Sequence, residues 1–310
     1  MNSTKISFKE IRILAIPAIF AGIAEPIIGL VDTAIIGNLG ETSNISQSAV
    51  GLGAGFYTLL LWCLSQIRTS ISSIVSKYMG AEKLSDIKSL VPQTILFGAM
   101  LGVIVGGLSF LFTESIFLDF YGVKPEQREL LSKSISYFNI RIIGLPISMI
   151  VYTVFGVFRG MQNTVWIMYA SISGAIVNMI LDYILVFGKL GFTPMGGIGA
   201  AWATTVVMVF LLLAMIIYGR RANNLKHLQL YGQFSAPSSA AIGDILRLGI
   251  PISLTIAAEV GFFAIIPMLI AHLGANVLGA HAITNNLDSL AYMVPLGVGQ
   301  ALTIMVSHAQ

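Results

Sequence analysis

Two carboxylates lie inside the first long apolar stretch of the sequence, Ile13–Ile36. This stretch has 24 residues, enough for a helix that crosses a bilayer of about 30 Å. Glu25 and Asp32 are seven residues apart, so they share one helix face about 10 Å apart along the axis. A carboxylate at membrane depth costs about 3 kcal/mol and usually faces a polar cavity that serves transport. The sequence predicts a proton or cation site here; a pair of acids held by hydrogen bonds inside a helix bundle is the alternative.

Pro26 weakens this helix between the two acids. Proline has no N–H to donate, so the carbonyl of Gly22 loses its helical partner. Such a break is tolerated in a membrane helix that faces protein or a cavity. The helix can therefore bend between Glu25 and Asp32, which favours a moving part over a rigid span.

Three further polar side chains lie in later apolar stretches. Asn178 and Asp182 are four residues apart, so they share a helix face and the amide could donate a hydrogen bond to the carboxylate. A structural hydrogen bond between helices, of about 1 kcal/mol, is the alternative to a cation site. Glu259 lies mid-stretch with no basic residue nearby in sequence, which favours an ion or substrate site over a structural ion pair.

Several polar side chains near the ends of apolar stretches carry a weaker signal. Arg68 and Arg141 are expected to extend along the helix surface towards the membrane interface. Asn285, Asn286 and Asp288 are expected only to cap the helix that follows them.

The sequence contains no enzyme signature among the common hydrolase and nucleotide-binding motifs. It has no HExxH, no P-loop and no GxSxG. Neither Asp32, in GLVDT, nor Asp182, in ILDYI, lies in the GxGD context of an intramembrane aspartyl protease, which makes that alternative an unfavoured one. The chain is not predicted to be an enzyme, and no catalytic residue is proposed.

Membrane-spanning helices must position these side chains. The chain is 56% hydrophobic and 10% charged, with a mean hydropathy of +0.86, whereas about 25% of residues are charged in soluble domains. A single cysteine, Cys63, excludes an intrachain disulfide and a multi-cysteine metal site, and the composition does not suggest nucleic-acid binding. Hydropathy predicts an all-α polytopic membrane protein with eight spans, at 13–36, 49–74, 94–112, 136–158, 165–187, 198–218, 248–271 and 283–306.

The distribution of lysine and arginine predicts the orientation of these spans. With the N-terminus inside, eleven basic residues, Arg159 among them, fall on the inner side and four on the outer side. Short cytoplasmic loops carry the excess of positive charge in membrane proteins. The N-terminus and the basic segment 219–247 are therefore predicted to be cytoplasmic.

An internal repeat divides the predicted spans into two groups. At an offset of 234 residues, spans 1 and 7 share three dipeptides: Ile16-Pro17 with Ile250-Pro251, Ala24-Glu25 with Ala258-Glu259, and Leu39-Gly40 with Leu273-Gly274. Spans six apart enter the membrane from the same side, so the repeat is predicted to be parallel. The expected organisation is a six-span lobe at 1–218, a cytoplasmic linker at 219–247, and the first two spans of a second lobe at 248–310, with four more spans beyond.

The motifs together resemble one family of transporters. LAIPAIFAGIAEPIIGLVDTAIIGNLG, RTSISSIVSKYMGAEK, FRGMQNT, and NMILDYILVFG with GGIGAAWAT are similar to segments of the multidrug and toxic compound extrusion transporters. GLVDTAIIG and Arg68 in the second span most resemble the DinF-like branch. The resemblance implies twelve spans in two lobes around a V-shaped cavity, and the exchange of cationic or amphipathic compounds for protons or sodium ions.

The resemblance also implies roles for individual residues. Asp32, Asn178 and Asp182 match the residues that form the cation site of the N-terminal lobe, where a sodium ion could bind, and Glu259 matches a seventh-span glutamate of the NorM-like branch. Glu25 is an additional acid without a place in the family pattern.

The expected activity is alternating-access antiport in a bacterial inner membrane. A proton or sodium ion would be the coupling ion, no cofactor is expected, and the partners would be a small cationic substrate and membrane lipid. A lipid-linked saccharide flippase is the second candidate, but such a protein should line its cavity with more basic residues. Basic residues within the predicted spans are few, which favours a cationic substrate.

We expect the charge distribution to set the topology. A reporter fused after Arg221 should be cytoplasmic and one fused after Lys189 external, because the inner segments carry most of the positive charge. Alkaline phosphatase and green fluorescent protein fusions measure the two locations independently. The reverse pattern at both sites would contradict the predicted orientation.

Overall fold

The computed structural model describes residues 8–39, 43–120, 127–222, 225, 238–270 and 275–309, and within these ranges the chain is helical without a strand. This confirms the predicted all-α class for the described residues. The α-helices are α1 Phe8–Gly37, α2 Ser43–Ser65, α3 Ile67–Gly80, α4 Leu84–Leu111, α5 Thr113–Ser115, α6 Arg128–Ile143, α7 Leu145–Gly160, α8 Thr164–Phe187, α9 Gly197–Arg221, α10 Ser239–Ile270 and α11 Ala275–Ala309. A π-helical turn, Ile116–Phe120, follows α5.

Seven stretches of the described chain are long and apolar enough to cross a membrane. They are α1, Ser48–Gly80 (which joins α2 and α3), α4, α8, α9, Ser239–Phe262 and Leu287–Ala309. The pair α6 and α7, bent by 46°, would make an eighth if it is one span. The seven stretches overlap seven of the eight predicted spans, and the bent pair overlaps the remaining one, 136–158.

The bend between α6 and α7 has a local cause in the sequence. Gly144 separates the two helices, and Pro146 lies in the first turn of α7. Proline supplies no N–H, so the backbone hydrogen bonds of α6 cannot continue unbroken into α7. The bend leaves Arg141 in the last turn of α6, near the middle of the broken span.

The ends of the predicted linker 219–247 are helical. Helix α9 continues to Arg221, and α10 begins at Ser239. Residues 223–224 and 226–237 of the predicted linker lie outside the described residues, as do Gly40, Leu273 and Gly274 of the third repeated dipeptide.

Helix α1 is a continuous helix that continues through Pro17 and Pro26. It packs along α8 on one side and along α11 on another. Its small buried residues, such as Ala18 and Ala24, allow these neighbours to approach closely. The helix that carries Glu25 and Asp32 therefore contacts both predicted lobes.

The helices are sealed together at one end of the bundle. Leu14 and Ala15 of α1 form a buried apolar cluster with Ala301 and Ile304 of α11. The Ser76 hydroxyl of α3 donates a hydrogen bond to the carbonyl of Ile304, at 2.7 Å. The sealed end is therefore the end at which α1 begins and at which α3 and α11 finish.

The packing between the two predicted lobes is reciprocal. Helix α1 packs on α11, while α10, the predicted repeat of α1, packs on α2 and α3. In the second contact the Ser253 hydroxyl of α10 donates to the carbonyl of Cys63, at 2.8 Å. A parallel repeat related by an axis along the membrane normal would produce this pattern; the division into lobes stays a prediction.

We expect the α1–α11 contact to be sensitive to a single methyl group. A Cβ at Gly297 would lie 2.5 Å from Cγ1 of Ile19 and 2.9 Å from its backbone nitrogen, whereas a Cβ at Gly299 would meet nothing within 4 Å. Gly297→Ala should therefore destabilise the protein by about 1–3 kcal/mol through overpacking. Gly299→Ala, on the same helix, should be neutral or slightly stabilising because alanine favours helix.

Thermal unfolding of the purified protein in detergent measures both effects. A melting temperature that falls equally in the two variants, or only in Gly299→Ala, would contradict the tight contact between α1 and α11.

Candidate functional site

A cavity of about 860 Å³ opens between the helices, on the far side of the seal. Helices α1, α2, α3, α6, α7, α8, α9, α10 and α11 all contribute to its lining. Its charged side chains are Glu25, Asp32, Glu259, Asp288, Arg68, Arg141 and Arg159. Charged residues from both predicted lobes therefore face one space.

Asp32 forms a cluster with the polar pair of α8. The packing of α1 along α8 places the carboxyl groups of Asp32 and Asp182 next to each other. Asn178 and Asp182 are completely buried. Asp32 lines the cavity while these two residues lie behind it. The structure thus brings together the three residues that the sequence predicted to share a site.

The cluster has more acceptors than donors. The Asn178 amide donates to the hydroxyl of Thr204, at 3.4 Å, and that hydroxyl donates to the carbonyl of Ala200, at 3.0 Å. Four oxygens of the cluster are buried and receive no hydrogen bond from the described residues: Oδ1 of Asp32, Oδ1 of Asn178 and both carboxylate oxygens of Asp182. Two adjacent buried carboxylates repel each other unless a proton or a metal cation lies between them. This geometry suits the reversible binding of a small cation.

Glu25 lies in the same cavity but outside the Asp32 cluster. The Tyr152 hydroxyl of α7 donates a hydrogen bond to Oε1 of Glu25, at 3.3 Å. Tyr152 itself is buried, with 6% of its surface exposed. The additional acid therefore faces the cavity and is held by α7 rather than by α8.

Glu259 faces the cavity from the second predicted lobe. Its neighbour is Tyr292 of α11, whose hydroxyl lies beside the carboxylate. Asn285 and Asp288 line the cavity nearby. Because α11 begins at Ala275, these two residues lie inside the helix, so the expectation that they only cap it is wrong; the side chain of Asn286 lies outside the described residues.

The expectation that Arg68 and Arg141 extend to the membrane interface is also wrong, since both line the cavity. The Arg141 guanidinium stacks over the ring of Tyr57, 4.2 Å from its centre, and lies close enough to attract Asp32 and Asp182. The Arg68 guanidinium lies 5.0 Å from the centre of the Tyr152 ring. An arginine stacked on a buried aromatic ring stays in the bundle, because the aromatic face attracts its charge.

Arg159 lines the cavity, although the sequence analysis placed it in a loop. The sequence analysis counted Arg159 with the cytoplasmic loops because the predicted span ended at residue 158. In the structure α7 continues to Gly160, and only 6% of the surface of Arg159 is exposed. The small residues Gly156 and Gly160, spaced as in tightly packed membrane helices, were the available signal that this segment lies inside the bundle.

No cluster of three or more His, Cys, Asp or Glu residues that could hold a metal ion occurs in the described ranges. The Asp32 cluster combines two carboxylates with one amide oxygen. Carboxylate and amide oxygens are ligands for hard cations. A sodium ion would therefore be held by Asp32, Asn178 and Asp182 together.

Comparisons with known proteins place the chain among membrane transporters. The MatE family model matches residues 17–184 and 251–310. The chain is 29% identical over 304 residues to the multidrug resistance protein PmpM of Pseudomonas aeruginosa, covering 98% of this chain and 62% of that protein. It is 27% identical over 310 residues to the multidrug resistance protein NorM of Photobacterium profundum, covering 99% and 66%. The chain thus spans less than two thirds of the length of these relatives.

The fold also matches a solved transporter. A multidrug resistance MATE family transporter of the MOP superfamily, in an outward-facing conformation, superposes with a TM-score of 0.80 at 23% identity. The match covers 96% of this chain and 64% of that structure.

We expect the stacking of Arg141 to contribute to stability beyond its charge. Arg141→Lys keeps the charge but loses the flat guanidinium that stacks on Tyr57. Its expected cost is about 1–2 kcal/mol, seen as a melting temperature lowered by several degrees in detergent. Arg128→Lys, at an exposed position of the same helix, is the matched control and should leave it unchanged. Equal melting temperatures for both variants would contradict a role for the stacking.

Proposed function

Because the chain belongs to the MatE family, we propose that it exports cationic or amphipathic small molecules in exchange for protons or sodium ions. Family and relatives are transporters rather than enzymes. The observation that carries the proposal is the donor-poor cluster of Asp32, Asn178 and Asp182, which borders a cavity large enough for a drug-sized ligand. The relatives PmpM and NorM are named multidrug resistance proteins, so a lipid-linked saccharide flippase is the less favoured function. The DinF-like branch stays a prediction, since a relative at 27% identity is named NorM.

The described conformation is proposed to be open to the outside. The seal lies where α1 begins, and charge distribution predicts that the N-terminus is cytoplasmic. The cavity would then open outwards, as in the outward-facing relative of similar fold. The protein is accordingly an integral protein of the bacterial inner membrane.

In this state the Asp32 cluster would receive its ion from the outside. A bound proton or sodium ion neutralises a carboxylate at the cavity wall. A cationic substrate in the cavity then loses an attractive charge and is released outwards.

Helix α1 would link ion binding to the change of access. Pro26 leaves the carbonyl of Gly22 without its helical donor, so α1 can bend between the seal and Asp32. Because α1 contacts α8 through the ion site and α11 through the seal, a bend would alter both contacts together. Alternating access would follow from opening one contact as the other forms.

We expect Asp32 to be the coupling acid. Asp32→Asn keeps the size of the side chain but removes its charge and its proton binding, so gradient-driven efflux of a cationic dye should fall by about tenfold or more. Expression should survive because a neutral amide costs less in the membrane than a charge. Asp182→Asn should have a similar effect, and Asp86→Asn, the same change at an exposed position, should have none.

The assay measures dye efflux by the complete natural protein in vesicles with an imposed proton or sodium gradient. The gradient that drives efflux identifies the coupling ion. Undiminished efflux by Asp32→Asn at matched protein levels would show that coupling lies elsewhere, with Glu259 the next residue to test.

A further inference from the structure

Arg159 is a buried cation for which the described part of the chain supplies no anionic partner. It lies in the last turn of α7 and lines the cavity, yet only 6% of its surface is exposed. Its Nε and Nη1 donors have no hydrogen-bond partner. Buried guanidinium donors are costly to leave unpaired, so this residue is expected to bind something.

Close packing of α3 and α7 places Arg68 beside Arg159. A Cβ at Gly156 would lie 2.6 Å from the carbonyl oxygen of Arg68, and one at Gly160 would lie 2.6 Å from that of Ser72. The two backbones therefore touch over one helical turn. Both side chains line the same cavity, so their like charges repel each other.

Neither guanidinium is neutralised by the acids of the cavity. No described carboxylate lies within 4 Å of either group. The Tyr152 ring stacks with Arg68 while its hydroxyl binds Glu25, so one side chain holds the cation and the acid apart. Arg141 differs because it lies near Asp32 and Asp182, whereas the charged neighbour that acts on Arg159 is another cation.

Arg159 and the Asp32 cluster lie at different depths in the cavity. Gly160 packs on Ser72 and Val75 of α3, directly before Ser76, whose hydroxyl bonds to α11 in the seal. Arg159 therefore lies near the closed base of the cavity. Asp32 lies about 21 Å further along α1 than Ala18, the lining residue of α1 nearest the seal. Arg159 is thus separated along the bundle from the Asp32 cluster and from Arg141 beside that cluster.

We propose that Arg68 and Arg159 form a binding subsite for an oxyanion, the carboxylate or phosphate of an amphipathic ligand. Guanidinium groups bind such planar or tetrahedral oxyanions through paired, charge-assisted hydrogen bonds. An anion between the two arginines would remove their mutual repulsion and supply acceptors to the unpaired donors. The inference rests on the proposed function and narrows it: the preferred substrate carries an acid group as well as a cationic one.

A matched pair of dyes tests the subsite. Tetramethylrhodamine with a free carboxylate and its methyl ester share one cationic fluorophore and differ in the acid group. Fluorescence anisotropy measures the binding of each dye to the purified, complete natural protein in an uncharged maltoside detergent. Arg159→Gln and Arg68→Gln should each weaken binding of the acid by about tenfold, the effect of one charge-assisted contact. Binding of the ester should change by less than about twofold.

Three controls separate charge recognition from damage to the fold. Arg159→Lys keeps the charge without the forked donors, so its affinity for the acid should lie between those of the wild type and Arg159→Gln. Arg220→Gln removes a positive charge at an exposed position of α9 and should change neither affinity. Size-exclusion chromatography and melting temperature establish that each variant is folded.

Added lipid distinguishes the source of the oxyanion. Displacement of the acid dye by phosphatidylglycerol, but not by phosphatidylcholine, would assign the subsite to an anionic lipid phosphate. Displacement by neither would assign it to the carboxylate of a substrate.

Other outcomes overturn the inference. Unchanged binding of the acid in both glutamine variants, or an equal loss for acid and ester, would show that the arginines do not recognise the oxyanion. If the wild-type protein binds the ester and its affinity for the acid is no higher than for the ester, the oxyanion subsite is contradicted but the proposed function is not. If neither dye binds, the proposed function is contradicted, and the subsite with it.

Discussion

The cost of placing charge at membrane depth is the constraint on which this structure depends. A charged side chain facing lipid is expensive, whereas one facing a polar cavity is tolerated. The seven charged residues that line the cavity come from six of its helices. The remainder of each span presents apolar side chains, and many of these are exposed, as expected for lipid contact. One shared space therefore accounts for nearly every charge buried in the bundle.

Helix α1 connects the parts of this arrangement. It carries Asp32 against α8, Glu25 against Tyr152 of α7, and Leu14 against α11 in the seal. In the proposed mechanism an ion at Asp32 and the contact at Leu14 both act on this one helix, which contains Pro26 between them. Coupling between distant sites needs an element with two arrangements that both sites bias. A proline-containing helix held at both ends is a physically reasonable element of that kind.

Sequence patterns located the spans and the core of the candidate site for distinct reasons. Hydropathy reports the length of an apolar run, which the bilayer thickness fixes, so the seven long apolar helical stretches of the described chain could be predicted. The grouping of Asp32 with Asn178 and Asp182 followed from family resemblance, and packing of α1 on α8 brings them together. What one sequence does not contain is the rotation of each helix about its own axis. For that reason Arg141 could be taken for an interfacial residue, although it stacks on Tyr57 inside the bundle.

The same limitation affected the argument about substrate charge. Counting basic residues per span suggested a cavity suited to cations, because each span carries few of them. A ligand, however, experiences all the charges that line its cavity, whichever helix carries them. In the described structure this cavity is lined by three arginines from three helices and by four acids. Arg68 and Glu25 both contact Tyr152 but form no salt bridge with each other in the described structure, so both charges stay available to a ligand. This arrangement supports the proposed ligand, which carries both signs of charge.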